Sequence, residues 1–201
     1  MIEKVKSKTH DPKVRFDTNP NLFAFNNKIF DLQTGLEIKP SSDQMISMTT
    51  GYDYKEDHNL EKYKQELKKV FEDILPDEDN HRNVMKFIST GLSGHVQKYF
   101  AIFTGSGGNG KTLLQELIKT VLGNYFNVMS SATLLTSKTN GPDQNAASCH
   151  KKRLIVVSEP DKSDSMIKSS RIKEFTGNQE VAARAMYQTN TIIENQGTYY
   201  M

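Results

Sequence analysis

Residues 105–112 read Gly-Ser-Gly-Gly-Asn-Gly-Lys-Thr, and this octapeptide restricts the fold more than any other stretch of the chain. It fits the G-x-x-x-x-G-K-[ST] pattern, in which a glycine-rich turn joins a strand to a helix and its backbone N–H groups close around phosphates. The required flanks are present. Tyr99-Phe100-Ala101-Ile102-Phe103 is a short apolar run suited to a buried strand, and Leu113, Leu114, Leu117, Ile118, Val121 and Leu122 follow at helical spacing. Strand, loop and helix N-terminus make an anion site from backbone amides and the helix dipole. In that geometry Gly105, Ser106, Gly107, Gly108, Asn109 and Gly110 wrap the phosphates, Lys111 reaches the β- and γ-phosphates, and the Thr112 hydroxyl holds Mg²⁺. A chance glycine-rich turn with a solvent lysine does not account for both flanks. The sequence predicts a nucleotide-binding protein.

Composition narrows the setting. A chain of 201 residues holds one domain, or one domain with an appendage. No apolar run approaches the length of a membrane span, and the mixed-charge N-terminus is not a secretory signal. The single cysteine, Cys149, cannot form an internal disulfide, which fits a reducing compartment. A net charge of +2 is too small to announce a nucleic-acid partner by itself.

Three segments follow in order. Residues 1–52 read as β-rich. They comprise a loose lead-in to about Asn19, a hairpin at 22–32 turning at Asn26-Asn27, a second turn at Gln33-Thr34-Gly35, and short strands at 36–39 and 45–49. Asparagine at the hairpin turn suits a left-handed conformation. Residues 53–96 read as helical. Leu60, Tyr63, Leu67, Val70, Phe71 and Ile74 mark one face of a helix stopped by Pro76, and the acidic stretch 77–79 caps a second helix that ends near Gly91. Residues 97–201 hold the loop and the remaining chemistry.

The second chemical element is Lys151-Lys152-Arg153 leading into Leu154-Ile155-Val156-Val157 and then Ser158-Glu159-Pro160. This is a charged entry, a buried strand and a carboxylate at its C-terminal tip, where ligands of open parallel sheets bind. Glu159 is therefore expected to face the same nucleotide, as the group that orients or deprotonates an attacking water or holds the Mg²⁺ shell. Beyond it, 167–175 reads as a helix bearing Lys168, Arg171 and Lys173, and 181–187 as one arm of a strand pair. Cations with a nearby aromatic can track a phosphate backbone and stack a base, although surface cations are commonly just solvated. Cys149-His150 lacks partner ligands at metal spacing.

Three motifs together resemble the superfamily III helicases, of the poxvirus-, giant-virus- and phage-type primase–helicase kind. They are the loop at 103–112, the strand and acid at 152–160, and the segment from Lys173-Glu174-Phe175-Thr176-Gly177-Asn178 to Ala183-Arg184-Ala185-Met186-Tyr187. The resemblance implies an α/β fold: a P-loop NTPase (AAA+-like) parallel-sheet core, incomplete at its C-terminus and preceded by a small β-rich segment and a helical segment. It implies a DNA helicase that hydrolyses ATP with Mg²⁺, acts on single-stranded or forked DNA, and assembles as a ring, normally a hexamer. Lys111 and Glu159 would be catalytic, Thr112 and Glu159 would serve the metal, and Lys173 and Arg184 would lie in the segment that contacts DNA. An intracellular, soluble setting follows, in the cytoplasm or at a viral replication site.

Three departures qualify the pattern. Ser158 stands where relatives often have a second acid, Asn26-Asn27-Lys28 stands where they commonly have Asn-Gly, and the chain stops at Met201. The last implies a fragment lacking the sensor asparagine and arginine finger, one not expected to unwind DNA alone. A nucleotide or small-molecule kinase and an inactive nucleotide-binding module are the alternatives.

Overall fold

The computed structural model describes residues 14–105, 107–135, 143–160, 166–183 and 191–201. The chain begins with a three-stranded antiparallel sheet, β1 (Leu22–Ala24), β2 (Ile29–Asp31) and β3 (Leu36–Ile38). The β1–β2 hairpin forms as read, but Asn26 and Asn27 are not left-handed. The turn is held from outside instead. The Thr49 hydroxyl donates to Asn26 Oδ1 (2.6 Å), and Asn27 exchanges hydrogen bonds with the Tyr54 backbone (2.8 and 3.0 Å). Residues 45–49, expected as a strand, instead run as an irregular strap after a short 3₁₀ turn. Nor is residue 14–19 a loose lead-in: Asp17 Oδ1 accepts from the Ser47 and Met48 amides and fastens that strap. Tyr52 and Tyr54, which carry the chain from this sheet toward the helices, pack their rings on Phe25.

Helices α1 (Leu60–Ile74) and α2 (Glu78–Thr90) follow. The Leu75-Pro76 step separates them, and Asp77 caps α2 by accepting from the Asn80 amide (2.8 Å). The lysines and glutamates of α1 pair along its exposed face, as at Lys68 and Glu72.

The remaining elements are β4 (Phe100–Ala101), α3 (Lys111–Leu122), β5 (Phe126–Met129), α4 (Ala132–Leu135), α5 (Gln144–Ser148), β6 (Leu154–Val157), α6 (Ser169–Gly177), β7 (Glu180–Ala183), β8 (Thr191–Glu194) and β9 (Thr198–Tyr200). Strands β4, β9, β6 and β5 form a parallel sheet in that order, while β7 and β8 form an antiparallel pair. Thus the last strand lies between the strand that precedes the glycine loop and the strand that precedes Glu159.

The sheet is buried on both faces, as parallel sheets require, and the alternation of side chains divides the core in two. Leu154 and Val156 of β6, with Tyr200 of β9, join Phe23, Phe87, Leu114, Ile118 and Tyr125 on one face. Ile155, Val157 and Tyr199 join Met129, Leu134, Phe175 and Ile193 on the other. The first cluster draws side chains from the N-terminal hairpin, α2 and α3 alike. A single core therefore runs through all three sequence segments.

The charged entry to β6 has a different role from solvent charge. Arg153 is 3% exposed. Its guanidinium donates to the Leu92 carbonyl and to the Leu22 carbonyl (both 2.5 Å) and lies over the Tyr125 ring, 4.4 Å from its centroid. One side chain thereby ties the hairpin, the end of the helical segment and the sheet. Burial lowers its affinity for the proton, but two carbonyls and an aromatic face replace water around the charge. Lys151, also buried, pairs with Glu194 (3.1 Å) and donates to the Phe16 carbonyl.

Two consequences can be measured. Arg153→Leu leaves two buried carbonyls without donors, each worth roughly 1–3 kcal/mol, so urea unfolding is expected to show a loss of about 3 kcal/mol; unchanged stability would mean that the desolvation of Arg153 cancels its hydrogen bonds. Burial also pushes the Cys149 thiol up to about 11. A disulfide reagent at pH 8 is therefore expected to label the native protein more than about a hundredfold slower than the unfolded chain, because the thiolate is the reactive form.

Candidate functional site

The glycine loop leaves β4 at its carboxyl end and turns into α3. Gly108 and Gly110 hold φ of 78° and 80°, a conformation that costs residues with a Cβ about 1–2 kcal/mol. Gly105 has a second requirement, because a Cβ there would collide with the Asn109 side chain. At Gly107 and Gly108 the space where a Cβ would lie is open to 4 Å. The α3 N-terminus has no side-chain cap, so its first amides remain available to a ligand. Ser106 lies outside the described residues.

Lys111, the first residue of α3, folds its ammonium back onto the Gly105 carbonyl (3.2 Å). That bond uses one of three donors. Thr112 and Glu159 are exposed. Lys111, Thr112, Ser158 and Glu159 line one cleft of about 290 Å³, walled by Phe103, Val156 and Tyr200. The loop and the acid at the tip of β6, distant in sequence, thus meet at the carboxyl ends of the parallel strands. Tyr200 Oη is buried at this wall and has no hydrogen-bond partner among the described residues.

This donor set fits a magnesium-bound polyphosphate. Free amides and an ammonium suit phosphate oxygens, and a hydroxyl with a single carboxylate is a donor set that Mg²⁺ uses alongside phosphate oxygens. The Ser158 hydroxyl accepts from the Ser131 amide (3.0 Å) and so ties β6 to the start of α4. Among the described residues no group of three or more His, Cys, Asp or Glu side chains could hold a metal ion.

The residues expected near nucleic acid divide. Lys173 is exposed on α6, whereas Arg184 lies outside the described residues. Arg171, read as a third surface cation on that helix, is 5% exposed. It pairs with Glu174 (2.7 Å) and Asp143 (3.1 Å) and donates to the Thr133 carbonyl (3.0 Å), so it pins α6 to α4. The sequence also gave no hint of Asn195, which is buried. Its amide donates to the Phe175 and Asn178 carbonyls, and its Oδ1 accepts from Tyr199 Oη (2.8 Å) and the Gly197 amide. It locks the entry to β9 against the end of α6.

Comparison with known proteins matches the chain in two parts. Residues 1–72 match the model described as "D5 N terminal like", and residues 103–201 match "Family of unknown function (DUF5906)". The chain belongs to the D5_N/DUF5906 family. It is 32% identical over 193 residues, 93% of this chain, to "Putative helicase L207/L206" of Acanthamoeba polyphaga mimivirus, of which it covers 20%. It is 27% identical over 173 residues, 81% of this chain, to "Primase D5" of fowlpox virus, of which it covers 22%. The chain spans about a fifth of these viral relatives. The three motifs that resembled poxvirus- and giant-virus-type proteins therefore pointed to the right family. Among solved structures, the A form apo structure of the NrS-1 C terminal region superposes with a TM-score of 0.55 at 14% identity, over 98% of this chain and 45% of that one. Such a match shows a shared fold. Among the described residues no helix is long and apolar enough to cross a membrane.

The loop geometry is testable without any ligand. Gly110→Ala forces a Cβ into a left-handed residue and to within 2.7 Å of Ile74 Cγ1, so thermal unfolding is expected to register a loss of about 1–3 kcal/mol. Substitution at Gly107, which meets nothing within 4 Å and has no positive φ, is expected to cost less.

Proposed function

We propose that this chain is the ATP-binding and ATP-hydrolysing core of a viral or mobile-element DNA helicase. The observation that carries the proposal is the meeting of Lys111, Thr112 and Glu159 in one cleft at the carboxyl ends of the parallel strands. In this reading the core is P-loop NTPase and AAA+-like, spanning 97–201, with the β-rich segment 1–52 and the helical segment 53–96 as its supports.

The loop amides of 105–110 bind and orient the β- and γ-phosphates. Lys111 exchanges the Gly105 carbonyl for phosphate oxygen, and Thr112 holds Mg²⁺ with Glu159 close by. Bound MgATP supplies a phosphoanhydride whose hydrolysis drives movement along DNA. Glu159, with no second acid beside it, takes the proton of the attacking water at its carboxylate oxygen. Phe103, Val156 and Tyr200 wall the cleft and limit bulk water. Lys173 and Arg184 contact the DNA backbone, a sequence-independent and salt-sensitive interaction. A ring, normally a hexamer, would set these cations around single-stranded or forked DNA. The family membership and the relatives named as helicase and primase favour this reading over a kinase or an inactive nucleotide-binding module.

The deciding experiment is binding of a fluorescent ATP analogue with Mg²⁺, followed by turnover with and without single-stranded DNA. Lys111→Ala is expected to weaken binding by at least about tenfold, equivalent to one charge-assisted hydrogen bond. Glu159→Gln is expected to keep binding and abolish any turnover. Absent binding by the unaltered chain, or binding indifferent to Lys111→Ala, would overturn the reading. Turnover stimulated by a small hydroxyl acceptor and not by DNA would favour a kinase.

A further inference from the structure

The glycine loop does not stand alone. A side chain of α1, in the segment that precedes the sheet, closes against its last residue. Gly110 immediately precedes Lys111, and a Cβ at Gly110 would meet Ile74 Cγ1 at 2.7 Å, Cγ2 at 3.1 Å and Cβ at 3.4 Å. Ile74 ends α1, and the Leu75 amide still bonds the Phe71 carbonyl (2.8 Å). One turn back, Phe71 packs on the cluster that includes Leu114 and Ile118 of α3. The final turn of α1 is thus fixed to the body of α3 and presents Ile74 to the loop at the start of that helix. At Gly107 and Gly108 the corresponding positions meet nothing within 4 Å. The front of the loop faces open space while its rear is backed by one aliphatic side chain.

We infer that Ile74 is a positioning residue for the phosphate loop, so that nucleotide binding and the docking of α1 are energetically coupled. This rests on the reading of the loop as the nucleotide site. The physical reason is preorganisation. The loop amides bind phosphate only when the left-handed Gly108 and Gly110 turn them inward, and a loop free to relax must be reordered by the ligand at the expense of affinity. Ile74 occupies the space into which Gly110 would otherwise move. By reciprocity, a ligand that fixes Gly110 must also steady the α1 terminus. The three Ile74 atoms nearest Gly110 are Cβ, Cγ1 and Cγ2. Valine keeps all of them and alanine keeps only Cβ, so the two substitutions separate the contact from general helix stability.

The test uses the whole chain and two readouts. MgATP and inorganic tripolyphosphate are titrated into the unaltered protein, Ile74→Val, Ile74→Ala and Val84→Ala. The last truncates a half-buried residue of α2 in the same core cluster. Ile74→Ala is expected to lose affinity for both ligands by the same factor, on the order of tenfold as coupled sites typically show. Ile74→Val and Val84→Ala are expected to stay within about twofold. Hydrogen exchange on the unaltered protein supplies the second readout and needs no variant to fold. MgATP is expected to slow the amides of residues 71–75 more than those of 84–88. If the unaltered protein binds neither ligand, the nucleotide reading itself fails. If it binds both, equal affinity of folded Ile74→Ala or unchanged exchange at 71–75 overturns the role of Ile74.

Discussion

The structure hangs on a buried guanidinium. Arg153 stands at the entrance to β6 with its charge directed at the carbonyls of Leu22 and Leu92 and stacked on Tyr125. A lone charge is costly inside a protein, and only a fixed set of acceptors around it makes the arrangement tolerable. The acceptors come from the hairpin and from the turn after α2, so these segments must reach their native positions before Arg153 can be buried. The same requirement brings α1 and α2 against α3, where Phe71, Phe87 and Leu114 share one cluster. The β-rich and helical segments are in this sense parts of the sheet's own core.

What that core delivers is a short parallel sheet with the glycine loop and Glu159 at one end. The glycine loop follows β4 and Glu159 follows β6, with β9 paired to both strands between them. Ties at and around the cleft hold its parts in place. Ser158 fastens the tip of β6 to α4, Asn195 anchors the approach to β9, and Ile74 closes the rear of the loop. None of these is a residue type that draws attention in a sequence. Each makes at least one contact with a part of the chain that lies more than 15 residues away.

That explains which features were legible in advance. The loop, its flanking strand and helix, the strand before Glu159, and α1 and α2 with their Pro76 and Asp77 boundaries were all written in local pattern. So were the motifs that resembled the family. Strand β5 was not read because Asn127 interrupts its short apolar run; that side chain bonds Ser148 on the edge of the sheet. The segment 45–49 alternates like a strand, yet Asp17 and Tyr125 occupy its backbone groups from the side. Arg153 read only as part of a charged strand entry, and Arg171 as a surface cation, because charge in a sequence carries no sign of burial. Their acceptors lie 61 and 131 residues away for the first, and 28 for the Asp143 partner of the second.

The central claim is that the loop and Glu159 form one phosphate site although 48 positions separate Lys111 from Glu159. The direct measurement is an amide chemical-shift titration with MgATP. Resonances of residues 107–114 and 158–159 are expected to move together with one saturation curve, while those around Arg15, His95 and Lys98 in the cleft at the opposite, amino end of the sheet stay still. Movement at the amino-end cleft, with the loop and Glu159 unaffected, would contradict it.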